Sequence, residues 1–162
     1  MKKNELRAQV ATAVHACHDK KGTDISVLQL DAQASGFTDY FVICSGTNPR
    51  QIQAIADDVD EQLSAQGLEP THREGYNQAE WVLLDYVDFV VHIFSEQARK
   101  FYDLERLWKT AKRVELSELE KPARKPAPAK ATAGRKTGVK AAKRAGARSG
   151  AAAKRSGARK RQ

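Results

Sequence analysis

The most apolar stretch of the chain lies near its middle and reads WVLLDYVDFVVHIF, from Trp81 to Phe94. It is crowded with β-branched and aromatic residues, has no Gly or Pro, and contains two acidic residues, Asp85 and Asp88. This composition predicts buried strand. The segment Asp85 to Val87 is compatible with a tight connection between two strands or with a bend in one long strand. In both cases the stretch predicts the centre of a sheet.

Apolar residues recurring at steps of three and four predict helices on both sides of this stretch. The first covers residues 4–20 and ends before Gly22. A second begins at Asn48 and Pro49 and stops at Gly67, because Pro is tolerated in the first turn of a helix. Ser95 is a natural N-cap for a third helix, which carries large apolar residues. Most of those residues are expected to pack in the core, and some are expected to meet a partner or a second subunit.

Shorter apolar runs predict the remaining strands. Residues 24–30 and 40–45 form two of them, and residues 68–73 form an edge strand, because Pro70 cannot donate to a central ladder. Residues 114–119 read as a frayed end. The sequence therefore predicts an α/β fold with a mixed β-sheet of about five strands covered by helices.

Charge divides the chain into two parts. All 20 acidic residues lie at or before Glu120, together with 13 of the 28 basic residues, so this part has a net charge of −7. Residues 121–162 hold the other 15 basic residues and no acid, and Val139 is their only large aliphatic side chain. Such a segment buries too little apolar surface to offset its chain entropy. We expect a folded domain over residues 1–120 and a disordered Lys/Arg/Ala-rich basic tail over residues 121–162.

The cysteines and histidines suggest neither disulfides nor a metal centre. Cys17 and Cys44 lie in apolar settings without a pairing pattern, which favours a reducing compartment. His15 and His18 share a helix, but no third ligand is evident nearby. The N-terminus lacks the apolar region of a secretory signal, and no run approaches the ~20 residues of a membrane span. We expect a cytoplasmic protein without cofactor or metal.

The strongest candidate for an enzyme is a nucleotidyltransferase, because Ser45 and Gly46 lie between a strand and a helix, with aspartates downstream. Asp85 and Asp88 are three residues apart, so on one continuous strand they would face opposite sides and could not share metal ions. A turn between them would bring them together, which keeps this alternative open. No nucleophile elbow surrounds Ser45, and His92 reads as a structural histidine of the sheet. The pattern favours a binding module.

Trp81 at a strand start, with Asp85 and Tyr86 at the predicted connection, indicates an aromatic and acidic patch at the rim of the sheet. Aromatic side chains anchor interfaces, and carboxylates pair with Arg or Lys. The patch is therefore suited to a basic protein surface. The acidic domain would repel free nucleic acid whereas the tail would attract it, so a protein partner embedded in RNA suits both parts.

Three segments resemble the ribosomal silencing factor (RsfS, or Iojap) family: TDYFVICSGTNPRQIQAIAD from Thr38, WVLLDYVDFVVHIF from Trp81, and ARKFYDLERLW from Ala98. The resemblance covers residues 6–116. It implies a nucleotidyltransferase-like fold without a catalytic site, in a factor that binds the large ribosomal subunit through its ribosomal protein fourteen. Such a factor blocks joining of the small subunit and lowers translation when nutrients are scarce. A homodimer in the free state is a further expectation.

By this resemblance, the contact with the ribosomal protein falls on Trp81, Leu84, Asp85, Tyr86 and Asp88. Val87 stands where the family commonly has Gly between two aspartates, so we expect a backbone with positive φ to be either lost or not needed there.

The basic tail is not part of the common family domain. Its composition suggests nonspecific contact with ribosomal RNA, through residues such as Lys136, Lys143, Arg144, Lys154 and Arg155. Two rival functions remain: a nucleotidyltransferase-like enzyme acting on RNA or nucleotides, and a general RNA-binding factor driven by the tail.

Overall fold

A computed structural model describes residues 3–121 of the protein. The helices are α1 (Lys3–Asp19), α2 (Ala32–Ser35), α3 (Pro49–Ser64), α4 (Glu96–Tyr102), α5 (Leu104–Leu107) and α6 (Leu116–Glu120). The strands are β1 (Thr23–Gln29), β2 (Tyr40–Gly46), β3 (His72–Glu74), β4 (Trp81–Asp85), β5 (Phe89–Ser95) and β6 (Lys112–Arg113). The predicted tail from residue 122 onward, with Lys136, Lys143, Arg144, Lys154 and Arg155, lies outside the described residues.

The strands form one mixed sheet in the order β3-β4-β5-β2-β1-β6. The central pair, β2 and β5, is parallel, with Tyr40 opposite Phe89 and Gly46 opposite Ser95. The other neighbouring pairs are antiparallel. The expected α/β class and mixed sheet are confirmed. The described sheet has six strands rather than about five, because β6 adds a pair of residues to the outer edge of β1.

Helices cover both faces of this sheet. On one face, α1 and α3 pack over a large core to which alternate residues of the central strands contribute, including Val42, Cys44, Leu84, Val91 and Ile93. On the other face, α4 and α5 pack over a smaller core built around Phe41, Ile43, Val90 and Phe94. The apolar density of the central stretch follows from this arrangement, since β5 is buried on both faces.

Capping residues set the bounds of α3 and α4 as the sequence predicts. The Oδ1 atom of Asn48 accepts a hydrogen bond from the backbone N–H of Gln51 at 2.9 Å, and Pro49 begins α3. The hydroxyl of Ser95 accepts from the N–H of Ala98 at 3.1 Å and begins α4. These caps place the starts of both helices at the ends of the parallel strands β2 and β5.

The single helix predicted after Ser95 is wrong in its length. Asp103 adopts a left-handed conformation with φ 45°, which ends α4 and separates it from α5. Leu104 and Trp108 still pack against the smaller core, whereas Phe101 and Leu107 are exposed. The central stretch is two strands joined by a turn, rather than one bent strand.

Candidate interaction surface

The face of β4 on the α4 side is only partly covered. Trp81, Leu83 and Asp85 lie on this face and are half-buried, whereas Val82 and Leu84 point to the opposite face and are buried. Tyr102 at the end of α4 leans on Trp81, with 4.5 Å between ring centroids. We call Trp81, Leu83, Asp85 and Tyr102 the β4 surface. It combines an aromatic ring, an aliphatic side chain and a carboxylate from β4 with a second aromatic ring from α4.

Trp81 is held in place by its neighbours on β5. Its indole Nε1–H donates a hydrogen bond to Nδ1 of His92 at 3.1 Å, and its ring stacks on Phe94 with centroids 5.1 Å apart. His92 is buried, and burial lowers its pKa to about 3. The imidazole is therefore neutral at physiological pH and its Nδ1 is free to accept the indole proton. His92 is the structural histidine that its place in the strand predicts, and it positions Trp81.

Asp85 stabilises the turn that follows β4. Its Oδ1 atom accepts from the backbone N–H of Val87 at 2.8 Å, and its Oδ2 atom lies 3.6 Å from Nδ1 of His72 on β3. One carboxylate oxygen therefore holds the turn, while the other faces the edge of the sheet.

The turn keeps a positive backbone angle although its central residue is Val. Val87 has φ 72°, and the N–H of Asp88 donates to the carbonyl of Tyr86 at 2.9 Å. These are features of a classic γ-turn, which is rare and strained for a residue with a Cβ. The conformation that Gly would favour is thus retained here.

Leu84 and Tyr86 lie behind the β4 surface. Leu84 is 0% exposed and Tyr86 is 3% exposed, and both belong to the larger core. Burial raises the pKa of Tyr86, and its hydroxyl has no hydrogen-bond partner among residues 3–121. The structure therefore does not bring these two side chains to the surface with Trp81 and Asp85. Contact of a ribosomal partner with the predicted residues Trp81, Leu84, Asp85, Tyr86 and Asp88 stays a prediction.

Asp88 lies on the far side of the turn. It lines a cavity of about 200 Å³ with Phe37, Thr38 and Asp39, and its carbonyl accepts from the N–H of Asp39 at 2.8 Å. Asp85 does not line this cavity. Within residues 3–121, no group of three His, Cys, Asp or Glu side chains is placed to hold a metal ion.

Ser45, the other candidate for chemistry, is part of a network that fixes α4. Its hydroxyl accepts from the guanidinium of Arg99 at 3.0 Å, and Arg99 also pairs with Glu105. The hydroxyl of Ser26 donates to the same Glu105 carboxylate at 2.9 Å. These hydrogen bonds lower the pKa of Glu105 against the opposing effect of burial. The arrangement attaches α4 and α5 to β1 and β2, which holds Tyr102 beside Trp81.

The acidic face of α3 is partly used within the domain. The Arg73 guanidinium pairs with Asp57 at 2.7 Å and with Asp60 at 2.8 Å. The Tyr76 hydroxyl donates to Asp57 at 2.8 Å. Two of the acidic residues on this helix therefore anchor the edge strand β3.

Leu83 and Tyr102 belong to the β4 surface but not to the predicted contact. Strand alternation could have found Leu83, because it shares a face with Trp81 and Asp85 whereas Leu84 does not. Tyr102 belongs to the predicted third helix, but its contact with Trp81 joins distant parts of the chain.

No helix among the described residues is long and apolar enough to cross a membrane.

Comparisons with known proteins agree with this architecture. A family model described as "Ribosomal silencing factor during starvation" matches residues 3–141. Ribosomal silencing factor RsfS of Bacillus subtilis is 40% identical over 104 residues, which cover 64% of this chain and 87% of that protein. A mouse protein named "Mitochondrial assembly of ribosomal large subunit protein 1" is 30% identical over 98 residues, covering 59% of this chain and 42% of that protein.

A solved structure is also similar. The crystal structure of a Chromobacterium violaceum protein has a TM-score of 0.61 and 32% identity, and covers 67% of this chain and 88% of that one. The family match extends over more than half of the sequence and includes the whole sheet. The chain therefore belongs to the family of ribosomal silencing factors.

Proposed function

We propose that this protein binds the large ribosomal subunit through ribosomal protein fourteen and sterically blocks association with the small subunit. Translation would thereby be repressed in the cytoplasm under nutrient limitation. The proposal requires no catalytic step and no cofactor. Family membership supports the silencing role, and the name of the mouse relative links that protein to the large subunit.

The β4 surface is the observation that carries this proposal. Trp81 and Tyr102 supply partly exposed aromatic area, and the Trp81 ring is fixed by His92 and Phe94 before any partner arrives. A preorganised aromatic anchor loses little side-chain entropy on binding. Asp85 adds one carboxylate, 32% exposed, for a basic residue of the partner. In this proposal Leu84 and Tyr86 support the surface from the core, and Asp88 lies at its margin.

The basic tail and self-association are secondary parts of the proposal. The tail would add nonspecific contact with ribosomal RNA, which raises the affinity by tethering without adding specificity. In the free protein, a homodimer would cover the partly exposed rings of Trp81 and Tyr102. Binding to the subunit would then compete with dimerisation.

The test is co-sedimentation of the intact protein with purified large and small subunits. We expect the wild type to migrate with the large subunit and to reduce formation of joined ribosomes. The Trp81→Ala and Asp85→Lys double variant should lose both effects. Glu61→Lys is a matched control, because it makes the same charge change on an exposed part of α3.

The result that would overturn the assignment is equal binding of the wild type and the double variant. Binding without inhibition of joining would keep the contact but refute the steric mechanism. A far-ultraviolet circular dichroism spectrum like that of the wild type would exclude misfolding as the cause of any loss.

A further inference from the structure

Basic residues are concentrated in one part of the domain. Between positions 99 and 113 the sequence has six basic and two acidic residues, although residues 1–120 as a whole carry a charge of −7. The basic residues are Arg99, Lys100, Arg106, Lys109, Lys112 and Arg113. This segment runs from α4 through α5 to β6, and α4 and α5 pack over the smaller core.

Three of these cations have no ion-pair partner among the described residues. Arg99 and Arg113 approach Glu105, and Lys112 lies 3.4 Å from Glu118. Lys100, Arg106 and Lys109 are exposed, and no carboxylate lies within ion-pair distance of them. Their charge is therefore available to an outside anion.

Exposed apolar side chains alternate with these cations. Phe101 is 80% exposed beside Lys100, and Leu107 is 73% exposed beside Arg106. The Phe101 ring meets the edge of Tyr102 with centroids 5.0 Å apart and an interplanar angle of 86°. Ala98 and Arg99 lie on the inner side of α4 and Leu104 on the inner side of α5, and Trp108, just after α5, packs against the smaller core.

Free cations beside an outward aromatic ring match the chemistry of single-stranded nucleic acid binding. Lysine and arginine neutralise phosphates, and an exposed ring stacks on a base whatever its identity. An acidic protein would pair with the cations, whereas unpaired nucleic acid would use the cations for its phosphates and the Phe101 ring, which is 80% exposed, for its bases.

We infer that α4, α5 and the turn after α5 form a contact site for unpaired RNA, with Phe101 stacking on a base and Lys100, Arg106 and Lys109 contacting phosphates. The site is separate from the basic tail. It also does not depend on the proposed contact between the β4 surface and a ribosomal protein. It assigns RNA binding to the domain despite the negative net charge of the domain.

The experiment measures the affinity of the full-length protein for an unstructured single-stranded RNA of about 12 nucleotides, by fluorescence anisotropy at several salt concentrations. The Lys100→Ala and Lys109→Ala double variant should bind more weakly and reduce the salt slope by about 1.4, the value for two phosphate contacts on a single strand. The control is the double variant Lys3→Ala, on α1, and Lys20→Ala, in the turn after α1, which removes the same charge from exposed positions elsewhere. It should retain the wild-type slope.

Phe101 provides a second, independent measurement. Phe101→Leu keeps an apolar side chain but removes the stacking face, and should weaken binding about fivefold or more. Phe101→Trp keeps a stacking face and should bind at least as tightly as the wild type. Because Phe101 is exposed, both variants should fold normally.

The inference is wrong if the α4–α5 double variant and its control lose affinity equally, since the tail and net charge would then explain RNA binding. It is also wrong if Phe101→Leu and Phe101→Trp behave alike. Loss of large-subunit binding with unchanged RNA affinity would overturn it too, because the site would then bind protein. The first two outcomes do not depend on whether the β4 surface contacts ribosomal protein fourteen.

Discussion

Trp81 lies opposite Phe94 in the antiparallel pair of β4 and β5, and its indole N–H donates to Nδ1 of the diagonal neighbour His92 at 3.1 Å. A buried neutral histidine thus serves as a hydrogen-bond acceptor for a partly exposed aromatic side chain. The arrangement connects the smaller core to the β4 surface, so changes at His92 should affect both stability and binding.

His92 should make the stability depend on pH. Its pKa is lowered to about 3 by burial, whereas in the unfolded chain it is about 6.5. Between these values the unfolded state binds more protons, so the free energy of unfolding falls as the pH decreases from about 6.5 to 3, by at most about 1.4 kcal/mol per pH unit. Urea unfolding at several pH values should show a shallower decline for His92→Gln. The control His18→Gln removes an exposed histidine of α1 that has no ion pair among the described residues, so the difference between the two variants isolates the contribution of His92.

His92 should also control binding through the orientation of Trp81. His92→Leu removes the acceptor and leaves the indole N–H without its partner, which should weaken large-subunit binding about fivefold, the equivalent of one hydrogen bond. His92→Gln retains an acceptor oxygen and should bind more tightly than His92→Leu. The measurement is a sedimentation titration. Equal affinity of the two variants would argue against a positioning role.

The two faces of β4 should respond differently to truncation. Leu84→Ala opens a cavity in the larger core and should lower the free energy of unfolding by about 2–5 kcal/mol. Leu83→Ala removes a half-buried side chain and should lower it by only about 1 kcal/mol. If the β4 surface is the docking site, Leu83→Ala should weaken subunit binding by more than Leu84→Ala at a temperature where both variants are folded. The reverse order would place the contact elsewhere.

Val87→Gly should stabilise the domain. Positive φ at a residue with a Cβ is strained by about 1–3 kcal/mol, whereas Gly adds roughly 0.5–1 kcal/mol of backbone entropy cost. We expect a net gain of about 1 kcal/mol and a rise in Tm of about 4 °C. The control Ser117→Gly lies in α6, where Gly should lower the Tm. A decrease in Tm for Val87→Gly would show that the valine side chain stabilises the turn by more than its strain.

Removal of residues 121–162 should distinguish the contribution of the domain to subunit binding from that of the tail. The shortened protein should still bind the large subunit and inhibit joining, but with about tenfold or more weaker affinity at low salt and a shallower dependence on salt. Sedimentation at two salt concentrations measures both effects. Complete loss of binding would instead favour a general RNA-binding factor driven by the tail.

The sequence was sufficient to predict the parts of the fold that depend on local patterns. Asn48, Pro49 and Ser95 mark helix starts by capping chemistry, and the density of the central stretch identifies strands buried on both faces. The break at Asp103 was not predictable in this way. Asp tolerates the left-handed conformation, but Asp is also common on the exposed face of a helix, so Asp103 alone does not predict a break. The network around Arg99 joins α4 to Ser45, which is distant in sequence.

The candidate surface was predictable in its location but not in its composition. The stretch from Trp81 to Phe94 predicted that Trp81 and Asp85 contribute to one patch, and these two residues do share a partly exposed face. Leu84 and Tyr86 were grouped with them by proximity in sequence, although a strand sends alternate side chains to opposite faces. The positive φ of Val87 was also not predictable from the sequence, because the hydrogen bonds of the turn keep this conformation without glycine.

The parallel pairing of β2 with β5 also has a consequence for the order in which the protein is made. Tyr40 pairs with Phe89 and Gly46 pairs with Ser95. The central ladder therefore joins strands that are far apart in sequence, and the chain between them must form a long loop before the strands can pair. During synthesis, β4 leaves the ribosome before the strand that aligns it, and α4 follows later. A nascent chain that ends before β5 therefore has neither the His92 acceptor nor the Tyr102 neighbour of Trp81, and the β4 surface can form only after the ribosome has made the chain through Tyr102.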